Sequence, residues 1–143
     1  MKDLGPPKQI LGMEIACDRG NKKLWLSQQK YIEKVLERFH MEKTKLVAIP
    51  LASHMKLSSK QSPTSQKKEE EMTTMPYDST VGSLMYTMVC TRPDITYVVG
   101  IVSKFLSNPG KEHWNAVKWI LRYLRGTSKI SLCFGNGKSE LVG

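Results

Sequence analysis

The stretch 76–126 constrains this chain most: its apolar residues return every three or four positions in three successive blocks, each closed by a proline or glycine break. A strand buries alternate residues, so this spacing selects helices. The first block, 76–89, places Val81, Leu84, Met85, Met88 and Val89 on one face, with Gly82 small enough to admit a neighbouring helix. Thr91-Arg92-Pro93-Asp94 then resets the chain for a second helix carrying Ile95, Val98, Val99, Val102, Phe105 and Leu106, which Asn108-Pro109-Gly110 ends. The third helix, over 111–125, buries Trp114, Val117, Leu121 and Leu124, with Gly126 as its expected C-terminal cap.

The flanks follow other rules. A β-leaning segment over 8–16 meets the turn-prone Asp18-Arg19-Gly20-Asn21, and 23–26 alternates with Leu24 and Leu26 on one face, which predicts a hairpin. Ser27 is the expected N-cap of an amphipathic helix over 28–40, in which Tyr31, Ile32, Val35, Leu36 and Phe39 face inward. Between Ala52 and Met75, 17 of 24 residues are Ser, Thr, Lys, Gln or Glu. So little apolar area cannot offset the entropy of ordering them, so this segment reads as a flexible loop, with Lys67-Lys68-Glu69-Glu70-Glu71 as a possible helix start. After the helices, 130–134 alternates as a strand, and Gly135-Asn136-Gly137 turns the chain into Glu140-Leu141-Val142. The expected fold is α+β and mostly helical: hairpin plus helix (1–51), polar loop (52–75), three-helix segment (76–128) and truncated strands (129–143), together one domain.

No apolar run approaches the roughly 18 residues that a membrane span requires. Lys2, Asp3, Lys8 and Glu14 interrupt any apolar core of a secretory leader. Cys17, Cys90 and Cys133 are odd in number and form no C-x-x-C pair, which points to free thiols and a cytoplasmic or nuclear setting. Polymerase and nuclease chemistry needs carboxylates converging on divalent cations. Here Asp3, Asp18, Asp78 and Asp94 are scattered, and capping explains the last two. His40, His54 and His113 have no Ser or Cys partner in a nucleophile motif, and no Gly-rich loop precedes a helix. The residues therefore predict no catalytic site, no metal site and no cofactor.

They do predict a binding surface. The net charge of +9 attracts polyanions, nucleic acid first and anionic lipid second. Lys111, Lys118, Arg122 and Arg125 recur at spacings of seven, four and three, which aligns them along one side of the third helix, opposite its apolar face. Such a stripe can track a phosphate backbone, and Trp119 and Tyr123 beside it could stack on bases. An ordinary solvated face, an anionic lipid surface and a protein partner are the competing readings.

Several long strings carry a resemblance. MKDLG at Met1, ILGMEI at Ile10, LSQQKYIEKVLERF at Leu26, VGSLMYTMVCTRPDITYVVGIVSKFLSNPGKEHWNAVKWILRYLRGT at Val81 and the closing LVG resemble, in order, the copia-type retrotransposon Pol polyprotein from the end of reverse transcriptase to the edge of RNase H. In that family the Tyr-x-Asp-Asp strand precedes the MKDLG segment, and the first RNase H carboxylate follows the position of Gly143. The resemblance thus implies a non-catalytic relic or domesticated fragment. Its helices would belong to the thumb or connection that grips an RNA–DNA hybrid.

A second resemblance lies in Arg122-Tyr123-Leu124-Arg125, which is similar to the R-x-L-R motif of secreted oomycete effectors, and retroelement-like chains carry that effector name. It implies secretion, entry into the host cytoplasm or nucleus, host proteins or a phosphoinositide lipid as partner, and suppression of host cell death. Here the motif lies near the C-terminus, without a preceding signal peptide and after the acidic run Glu69-Glu70-Glu71. An amphipathic helix with Leu124 inward produces the same letters.

Overall fold

A computed structural model describes residues 8–10, 13–41, 43–51, 57–58, 61–63, 65–135 and 138–142. The fold is mixed α+β. Strands β1 (Lys8–Ile10), β2 (Met13–Asp18), β3 (Lys23–Ser27), β4 (Ser131–Gly135) and β5 (Lys138–Val142) form one antiparallel sheet in sequence order. Helices α1 (Gln29–Arg38), α2 (Gln66–Thr73), α3 (Tyr77–Cys90), α4 (Thr96–Ser103) and α5 (Lys111–Gly126) lie between β3 and β4, with a short 3-10 turn at Pro93–Ile95.

The expected hairpin is the β2–β3 pair. Its turn is held by Asp18, whose carboxylate accepts from the Asn21 amide N–H at 3.2 Å and from its side chain at 2.9 Å. The C-terminal strands are not a separate appendage. Leu26 pairs with Leu132 and Trp25 with Cys133, so β4 and β5 extend the N-terminal sheet across the whole helical region.

The core is helical. Ile32 and Leu36 of α1, Val81 and Leu84 of α3, Val99 and Val102 of α4, and Ala116, Val117, Ile120, Leu121 and Leu124 of α5 form one buried cluster. On α3 the buried face is rotated from the expected one. Thr80, Ser83 and Thr87 point inward, their hydroxyls each donating to the carbonyl four residues back, while Val89 is 77% exposed. That local bonding satisfies a buried hydroxyl and lets polar residues occupy core positions. Gly82 faces open space rather than a neighbouring helix.

Other boundaries shift for identifiable reasons. The N-cap of α1 is Gln28, not Ser27, and the Gln28 side chain turns inward to accept from the Thr91 hydroxyl at the end of α3. The polar segment 52–75 contains α2, which Ser65 starts by accepting from the Lys68 N–H at 3.3 Å. Met72 of α2 packs on the core. The second expected helix divides into the 3-10 turn and α4, which leaves Phe105 and Leu106 in a following turn. Gly126 is the last residue of α5, and Thr127 caps it. Among the described residues no helix is long and apolar enough to cross a membrane.

Candidate nucleic-acid interface

The interface is built on α5, which begins where Gly110 takes an extended conformation and its N–H donates to Nδ1 of His113 at 2.7 Å. A ring nitrogen that accepts is unprotonated, so His113 is the neutral Nε2–H tautomer, donating to the Ser58 carbonyl at 2.9 Å. Burial lowers its pKa, although Ser58 and Glu112 oppose the shift. The ring stacks on Phe105 at 3.9 Å. This cap fixes the helix start, and Trp114, Ala116, Val117, Ile120, Leu121 and Leu124 then fix which side faces the core.

The four basic residues follow the expected periodicity, but the structure divides them into two pairs. Lys111 and Lys118 line a groove of about 940 Å³ against α2, together with Lys68, Glu71, Met72 and Trp114. Arg122 and Arg125 are half-buried at the other end of the helix. There Nη1 of Arg125 donates to the Thr44 carbonyl at 2.6 Å, and Nε1 of Trp119 donates to the Ile49 carbonyl at 2.9 Å. A Cβ placed on Gly126 would meet the Val47 carbonyl oxygen at 3.7 Å and the Leu46 side chain at 3.8 Å. Residues 44–49 therefore form a strap across the C-terminal half of α5. Nε of Arg122 is buried and has no hydrogen-bond partner among the described residues.

The aromatics that flank the stripe each have a partner within the fold. Trp119 holds the strap, and Tyr123 has its own buried task. Its hydroxyl donates to Asp94 Oδ2 at 2.8 Å, and the Arg92 guanidinium lies 5.7 Å from its ring centre. Within Arg122-Tyr123-Leu124-Arg125, Leu124 is 1% exposed, so the motif is folded into the helix rather than displayed.

Arg92 is the residue that sequence reasoning missed. It is wholly buried and grips Asp94 with two hydrogen bonds, Nε to Oδ1 at 3.0 Å and Nη2 to Oδ2 at 2.8 Å. It also donates to the Thr127 carbonyl at 2.9 Å and hydroxyl at 2.8 Å, placing a cation at the C-terminal end of α5. Burial pushes the Asp94 carboxyl up, but bonds and charge from Arg92, with the Tyr123 hydroxyl, outweigh it and hold the carboxyl below the usual range. Burial and Asp94 raise the Tyr123 hydroxyl. Asp94 thus does more than cap a helix. The only advance sign was an Arg and an Asp two positions apart across a proline.

No family model and no solved structure matches this chain. Curated proteins do. The retrovirus-related Pol polyprotein from transposon TNT 1-94 of Nicotiana tabacum is 63% identical over 143 residues, which is 100% of this chain and 11% of that polyprotein. The corresponding polyprotein from transposon RE2 of Arabidopsis thaliana is 38% identical over 130 residues, 91% of this chain and 8% of its own length. Secreted RxLR effector protein 161 of Plasmopara viticola is 48% identical over 73 residues, 50% of this chain and 51% of that protein.

Proposed function

Because this chain is related over its whole length to copia-type Pol polyproteins, we propose that it is a non-catalytic, thumb- or connection-like segment that grips nucleic acid through α5, an RNA–DNA hybrid above all. The observation that carries this reading is the charge pattern of α5 and the turn after it. Residues 113–131 include Lys118, Arg122, Arg125 and Lys129 and no carboxylate. The apolar side of the helix is buried, so Lys118, Arg122 and Arg125 lie on the remaining side, with Lys129 in the turn that follows. A polyanion binding there releases counterions, and affinity falls steeply with salt.

The test is fluorescence anisotropy with a labelled RNA–DNA hybrid across a salt series. The expected result is a linear fall of log K with log salt, its slope reduced in Lys118→Ala/Arg122→Ala. Binding that is absent or indifferent to salt refutes the reading. Assays for DNA synthesis and RNA cleavage test the non-catalytic part, for which no activity above a buffer control is expected. A cytoplasmic or nuclear location belongs to the same reading and is checked by imaging a tagged chain.

The similarity to a protein named as a secreted RxLR effector supports a second reading. In it the chain is secreted, enters host cells and suppresses their death through host proteins or an anionic phosphoinositide. Its test is expression in leaf cells challenged with a death elicitor, where unchanged death in the presence of the protein rejects it.

A further inference from the structure

The strap over α5 is itself basic. The strap and the turn before it, residues 42–51, contain Lys43 and Lys45 and one carboxylate, Glu42, and both lysine side chains are exposed. The residue between them, Thr44, has its carbonyl turned inward onto the Arg125 guanidinium and its own hydroxyl bonded to the Met41 carbonyl at 2.7 Å. Thr44 sits in a turn that its N–H closes onto the Met41 carbonyl at 3.3 Å, and the lysines on either side of it are exposed. Farther along, the bond from Trp119 to Ile49 fixes the other end of the strap. Two exposed lysines thus flank a residue anchored to the helix that carries Lys118, Arg122 and Arg125. Like charges brought together repel. A bound polyanion would relieve that repulsion.

We infer that Lys43 and Lys45 are phosphate-contacting residues of the nucleic-acid surface, and that Arg125 is a positioning residue which holds the strap so that they face the ligand. This rests on the nucleic-acid reading of α5 and changes its composition. The recognising surface comprises Lys118 and Arg122 of α5 with Lys43 and Lys45 of the strap. The Arg125 guanidinium contributes through the Thr44 carbonyl.

The experiment uses the full chain and a labelled RNA–DNA hybrid, with log K measured against log salt and thermal melts run alongside. Lys43→Ala/Lys45→Ala is expected to lower the slope by roughly two, one for each lost phosphate contact, with an unchanged melting midpoint. Arg125→Ala releases the strap and is expected to lower the slope by more than one, beyond the single contact that its own charge could make. If the parent binds but the lysine pair leaves the slope unchanged, the inference is overturned and the nucleic-acid reading stands. A slope lowered by only one or less in Arg125→Ala overturns the positioning role. Absence of salt-dependent binding by the parent removes the reading and the inference together. Loss of binding only to phosphatidylinositol phosphate vesicles in the lysine variant assigns the strap to a lipid and overturns the nucleic-acid proposal.

Discussion

Replacing Asp94 by alanine removes three hydrogen bonds at once, two from Arg92 at 3.0 and 2.8 Å and one from Tyr123 at 2.8 Å. The Arg92 side chain is fully buried, while that of Asp94 is 20% exposed. The variant therefore strands a guanidinium in the interior. Breaking a buried pair from one side destabilises by about 3–5 kcal/mol. The partial exposure of Asp94 and the bonds that Arg92 keeps to Thr127 place the expectation at about 3 kcal/mol. At roughly 4 °C per kcal/mol for a chain of this size, the melting midpoint falls by about 12 °C. Urea unfolding at neutral pH, followed by circular dichroism, measures the change directly. Adding Arg92→Met removes the stranded charge, so the double variant should be more stable than Asp94→Ala alone. A loss below about 1 kcal/mol, the range of exposed pairs, or a double variant weaker than the single, refutes the argument. Because the Asp94 pKa is lowered in the folded state, its contribution is complete above the ordinary value of about 3.9 and is lost as pH falls through the lowered one. The parent should therefore lose this share of its stability only in strong acid, and Asp94→Ala should lack it.

Gly110→Ala would drive a Cβ into the Gln61 carbonyl. The clash should destabilise by about 1–3 kcal/mol in urea unfolding and loosen residues 61–63 in hydrogen exchange. His113 is neutral when folded, its pKa lowered by burial. Below about pH 6.5 the unfolded chain gains a proton that the folded one refuses, so stability should fall from there towards the lowered value, and His113→Gln should flatten that profile. Val89→Lys should change stability by no more than about 0.5 kcal/mol, as expected of a surface position, because Val89 is 77% exposed. A loss of several kcal/mol would restore Val89 to the core.

What the sequence could reveal follows from how local each determinant is. The starts of α3 and α5 were legible because apolar periodicity and proline or glycine breaks act over a few residues, as at Val81, Leu84 and Asn108-Pro109-Gly110. The pairing of Leu26 with Leu132 was not legible, since nothing near either residue specifies a partner beyond five helices. Thr87 misled by type. Its hydroxyl is satisfied by the Ser83 carbonyl at 2.9 Å, so a polar residue took a place that the apolar pattern had assigned to Val89. Arg92 misled for the same reason, because a charged residue reads as exposed until its partners are known. The basic periodicity of α5 survived into the structure, but Arg122 and Arg125 are only partly accessible. The strap is held by the carbonyls of Thr44 and Ile49, and backbone acceptors leave no trace in residue identity.

This last point separates the two ways in which Arg122-Tyr123-Leu124-Arg125 could be recognised. On a helix of 3.6 residues per turn, Arg122 and Arg125 lie roughly 60° apart and Leu124 roughly 160° from Arg122. A helix with a basic outer side and a leucine on its core side spells these four letters from its own periodicity. Reading them as an extended peptide requires unwinding the last turn of α5. That would expose Leu124, now 1% exposed, at a cost of about 1.5–3 kcal/mol. It would also break the Tyr123 bond to Asp94 and the Arg125 bond to Thr44. A polyanion meets no such requirement, because it reads the placement of charge and leaves the turn intact. The fold therefore presents these residues as a pattern of charge rather than as an extended sequence, and Lys43 and Lys45 on either side of Thr44 are more exposed than Arg125.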